Sequence, residues 1–131
     1  MDPRHARRIK TIQNLFALSF DSLTNNLPFP EDEKTKEIQK NLKKIDSLIK
    51  EYAPKYPLNK IARTDLAILR LSILELTIDR KEPEKVIIDE AVELAKELSG
   101  DKSYGFVNAV LGKVLTSLDK KNETTGAGTK T

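Results

Sequence analysis

Apolar residues recur along this chain at spacings of three and four, and no segment alternates convincingly at two. Ile9, Ile12, Phe16 and Phe20 form a first stripe, widened by Leu15 and Leu23. Residues so spaced share one face of a 3.6-residue helix. Asp2 and Pro3 supply an N-cap and a proline at the first helical position. The pattern predicts a helix over 3–22, stopped by Asn25, Asn26, Pro28 and Pro30. A second stripe, Ile38, Leu42, Ile45, Ile49 and Tyr52, predicts one helix from near Pro30-Glu31-Asp32 to Pro54. Acids in its first turn suit the helix dipole, and its heptad-like run is short enough for a bundle rather than a long coiled coil.

Asn59 can cap a short turn through Ile61-Ala62, and Thr64 or Asp65 the helix that follows, Leu66 to about Asp79. That helix is apolar nearly all round, as a central buried helix is. Beyond Pro83, Val86–Leu98 and Tyr104 to about Leu118 read as two further amphipathic helices, with Gly100 as the left-handed residue between them and Ser103 as a cap. The fold class is therefore all-α: about six to seven helices in a single domain, 1–119, of two packed helical sub-bundles that meet near Pro57. Residues 120–131 are polar and Gly/Thr-rich and are expected to be disordered.

Composition adds exclusions. There is no cysteine, hence no disulfide and no thiolate chemistry. With His5 the only histidine, no metal site is expected, and no cofactor motif appears. No apolar run is long enough to span a membrane and the start lacks the core of a signal sequence, so a cytoplasmic protein is expected. Arg4, Arg7, Arg8 and Lys10 stand against Asp2 alone, so the whole formal excess of +3 falls in the first ten residues. Such a footprint suits a polyanion.

The stretch from Asp65 reads DLAILRLSILEL, then PEKVIIDEAVELAK, then FVNAVLGKV; the start carries Arg4, Arg7 and Arg8 followed by Gln13-Asn14-Leu15-Phe16. Together these motifs resemble the NusB family of transcription antitermination factors. The resemblance implies a NusB-like fold, no catalysis, and binding of single-stranded boxA RNA together with the small-subunit ribosomal protein NusE, within a transcription elongation complex. It leaves a homodimer open. Three departures stand out. Gly105 replaces a usual lysine, Ala109 replaces a common glycine, and the chain between Leu23 and Lys60 is short enough to predict the loss of one short helix.

For RNA, Arg4, Arg7 and Arg8 lie within a turn, joined by Lys10. Three or four phosphate contacts predict a log–log salt slope of about −2 to −3. Alanine at all three arginines should then abolish binding and leave melting nearly unchanged. His5, among arginines, is expected neutral, as a stacking or hydrogen-bonding group. Lys102, Tyr104 and Phe106 at the start of the last helix offer a cation and stacking rings, although Phe106 also has core spacing. Arg70, on the buried helix, needs either an acid from another helix or an RNA phosphate. The resemblance places Phe16 and Asp65 at positions that face the protein partner; the alternatives are core packing for Phe16 and a first-turn role for Asp65.

Two other readings fit the same residues. One is a helical adaptor that keeps the protein partner with weak or lost RNA binding, motivated by Gly105 and the shortened middle. The other is the detached, non-catalytic RNA-binding domain of a ribosomal RNA methyltransferase, whose catalytic cysteine this chain lacks.

Overall fold

The structure, a computed structural model, describes residues 2–100 and 102–130, with side chains to Lys120. It is all-α among the described residues: α1 (Pro3–Phe20), α2 (Glu33–Lys40), α3 (Leu42–Tyr52), a 3-10 turn (Leu58–Lys60), α4 (Arg63–Leu74) prolonged by a π-helical turn (Glu75–Asp79), α5 (Glu84–Leu98) and α6 (Ser103–Lys130).

α1 begins where its signals place it, with the Asp2 carboxylate accepting the Arg4 backbone N–H at 2.9 Å ahead of Pro3. The loop 21–32 holds turns and no helix. The single helix expected over 30–53 is instead two. Its stripe is right: Ile38, Ile45 and Ile49 are fully buried. The break falls at Asn41, whose side-chain Nδ2 donates to the Glu37 carbonyl at 2.9 Å and competes with the helical pattern. The start also moves inward, to Asp32. Its Oδ2 caps α2 by accepting from the Thr35 backbone at 3.1 Å, and it accepts the Thr11 hydroxyl of α1 at 2.7 Å.

α4 is the central helix. Leu66, Ile68, Leu69, Leu71, Ile73 and Leu74 are all buried, and it packs against α1, α2, α3, α5 and α6. It thereby joins an N-terminal group, α1–α3, to a C-terminal group, α4–α6. Neither Thr64 nor Asp65 caps it; the helix starts at Arg63, which puts Asp65 in its first turn. The π turn ends at Arg80, in the left-handed region at φ 52°. Gly100 takes φ +107° and donates its N–H to Ala95 at 3.0 Å, closing α5 as expected. α6 extends to Lys130, past the end of its apolar stripe at Leu118. The tail expected to be disordered lies, from 121 on, outside the described side chains.

Candidate nucleic-acid and partner interface

One side of α1 forms the wall of a cleft. Arg4, Arg7, Arg8 and Lys10 line it together with the loop from Phe29 to Lys34 and the end of the central helix, from Glu75 to Glu82. Helical spacing places four cations along the cleft, but tertiary partners treat them differently. Arg8 is buried, 7% exposed. Its Nε and Nη2 donate to the two oxygens of Glu75, each at 3.0 Å, and Nη2 also donates to Glu82. Burial disfavours its charge, but these two acids overcome that and raise its pKa further. Arg8 is therefore part of the fold, and alanine at all three arginines cannot leave melting unchanged. Arg4 is exposed but held, its Nη1 donating to Glu82 at 3.0 Å and its Nη2 to Asp2 at 3.1 Å. Among the described residues Arg7 and Lys10 enter no ion pair; both are exposed, and Lys10 Nζ lies 5.5 Å from the centre of the Phe29 ring.

His5 departs from expectation. Its Nδ1 pairs with Glu90 and its Nε2 lies 2.9 Å from Glu97, both on α5. The hydrogen bond to Glu90, with further help from Glu97, raises its pKa above the usual imidazole value, so the neighbouring arginines do not decide its charge. Arg70 takes the acid rather than a phosphate: Nε and Nη2 bind both oxygens of Asp46 on α3, at 2.9 and 3.0 Å. Lys102, Tyr104 and Phe106 do not line the α1 cleft. Tyr104 is exposed beneath Lys96, 4.9 Å from Nζ to ring centre, while Phe106 packs on the core and stands edge-on to Tyr56. Where the family lysine would stand, Gly105 leaves open space for a Cβ.

A second surface lies further along α1. Phe16 and Phe20 are exposed and meet edge-to-face at 5.1 Å, and the Arg63 guanidinium stacks 4.1 Å above Phe20. Ile12, Gln13, Phe16, Ala17, Thr64 and Leu98 border an apolar groove beside them. Phe16 is thus a surface residue. Asp65, by contrast, is buried, with Oδ1 lacking a hydrogen-bond partner among the described residues, and presents little to a partner. Local sequence could not reveal the acids that hold the cations, since Glu75 and Glu97 lie 67 and 92 residues from Arg8 and His5.

Among the described residues no cluster of acids and histidine suits a metal ion, and no helix is long and apolar enough to cross a membrane. What the surface offers is a charged cleft and an apolar groove along one helix of an all-α bundle, the equipment of a binding protein. The NusB family profile matches residues 31–116, about two thirds of the chain, and the chain belongs to that family.

Over 74 residues the chain is 50% identical to the transcription antitermination protein NusB of Chloroflexus aggregans, covering 55% of this chain and 49% of that protein. It is 49% identical over 73 residues to the protein of the same name from Alkaliphilus oremlandii, covering 56% and 53%. The matched stretch thus spans about half the length of these curated relatives. Among solved structures, NusB of T. maritima superposes with a TM-score of 0.76 at 30% identity, over 86% of this chain and 89% of that one. A chain from a complex of antitermination factors NusB and NusE with dsRNA shares the fold, with a TM-score of 0.75 at 18% identity over 87% and 96%.

Proposed function

We propose that this protein is a non-catalytic transcription antitermination factor that acts in the cytoplasm. It binds boxA-type single-stranded RNA together with NusE, as part of the elongation complex. Family membership supports the class, and the observation that carries RNA binding is the pair Arg7 and Lys10, cationic, exposed and, among the described residues, without an acid partner at an open cleft. They are the groups free to neutralise phosphate. The apolar groove at Phe16, with Phe20 and Arg63, is the surface offered to NusE.

The test is a salt titration with boxA RNA and a scrambled RNA of equal length, with and without NusE. The expected result is tighter boxA binding, strengthened by NusE, with a log–log slope that flattens by about 0.7 in Arg7→Ala and again in Lys10→Ala. Normal NusE binding with equal, weak binding of both RNAs would instead favour the adaptor reading. The acids already holding Arg4 and Arg8 give that reading its support.

A further inference from the structure

We infer that the α1 cleft holds one unstacked RNA base against the ring of Phe29, with Arg7 and Lys10 taking adjacent phosphates. This rests on the RNA-binding reading above and adds a base-contacting residue that lies outside the arginine-rich start.

Phe29 is presented with unusual rigidity for a loop residue. The side chain of Asn14, fully buried in α1, grips its backbone from both sides: Nδ2 donates to the Phe29 carbonyl at 2.7 Å and Oδ1 accepts its N–H at 2.9 Å. Asn14 is itself tied to Thr35 Oγ1 at 2.9 Å. Pro28 and Pro30 restrict the backbone on either side. Such a loop has little conformational entropy left to lose on binding. Yet the ring so held is only part-buried and is not among the side chains packed against the core. It borders the cleft, and the group over its face is the exposed ammonium of Lys10. A flat base can take that place while the flexible lysine stem swings to a phosphate. An aromatic face beside cations is how single-stranded nucleic acid is held, since every base has a π-face and every linkage a charge. Here the ring stands beside Lys10, which enters no ion pair among the described residues, although Glu31 and Glu33 line the same cleft.

The chain has no tryptophan, so Phe29→Trp introduces a single indole at the proposed stacking position. The probes are a short boxA-like RNA and a set of the same RNA with one base at a time removed to an abasic site. Phe29→Leu should weaken binding about 5- to 100-fold without changing the salt slope, because a stack and not a phosphate contact is lost. One abasic position should weaken the wild type and leave Phe29→Leu indifferent. Phe29→Trp should keep binding, with indole emission quenched by RNA. Wild-type affinity in Phe29→Leu, or unquenched emission at saturating RNA, would overturn the stack alone. An acidic peptide that quenches the indole while RNA does not would assign the cleft to protein. Failure of the wild type to bind any of these RNAs at low salt would remove the RNA reading itself.

Discussion

The edge of α1 that carries Arg4, His5 and Arg8 is met by acids at Glu75, Glu82, Glu90 and Glu97, whereas Arg7 and Lys10, on the other edge and lining the same cleft, enter no ion pair among the described residues. Both edges belong to the same basic stretch, yet the first is almost neutralised and serves to fasten α1 to the C-terminal group. The second stays charged and exposed, the state that the proposed RNA contact requires. A cationic cluster in a chain is thus divided by helical phase: Arg4 and Arg8, four apart, share one fate, and Arg7 and Lys10, three apart, another.

The comparison is most severely tested at Arg8 and Arg7. Arg8→Ala leaves Glu75 and Glu82 without their shared cation, Glu75 in a buried site. Breaking such a pair from one side costs about 3–5 kcal/mol, a fall in Tm on the order of 10 °C by thermal unfolding. Arg7→Ala should change stability by no more than about 0.5 kcal/mol. Equal melting of the two variants would dissolve the distinction between the edges.

Glu82 offers a sharper cut, because it holds Arg4 as well as Arg8. Glu82→Gln removes its charge, leaves Arg8 with Glu75, and leaves Arg4 held by Asp2 alone, with its Nη1 available to a phosphate. RNA binding should tighten and its salt slope steepen by about 0.7, one phosphate contact more. An unchanged slope would mean that Arg4 never reaches the RNA.

What was legible in the chain follows from the range of the interactions. The apolar all-round run from Leu66 to Leu76 identified the central helix because burial is written into periodicity. The break at Asn41 was hidden because the stripe from Ile38 to Ile45 passes through it unbroken, and only the asparagine's own bond to Glu37 interrupts the helix. The basic start was legible as charge, but its division was not, since every neutralising acid except Asp2 comes from a distant segment. Phe29 stands between two helix-stopping prolines with no local sign of its role, because the buried amide that fixes it is supplied by α1.

The smallest effect concerns His5, and its sign is definite. The hydrogen bond to Glu90, and after it Glu97, raise its pKa in the folded protein against the opposing cost of burial. A raised folded-state value means that the protonated ring contributes stability fully below the unfolded pKa of about 6.5. That contribution is lost as pH rises through the higher folded value. Between pH 6 and 8.5 the wild type should therefore lose about 2 °C of Tm, as befits a partly exposed pair. His5→Gln should start lower and stay flat over that interval. Parallel curves for the two proteins would show that the pairing of His5 with Glu90 and Glu97 adds nothing to the fastening of α1.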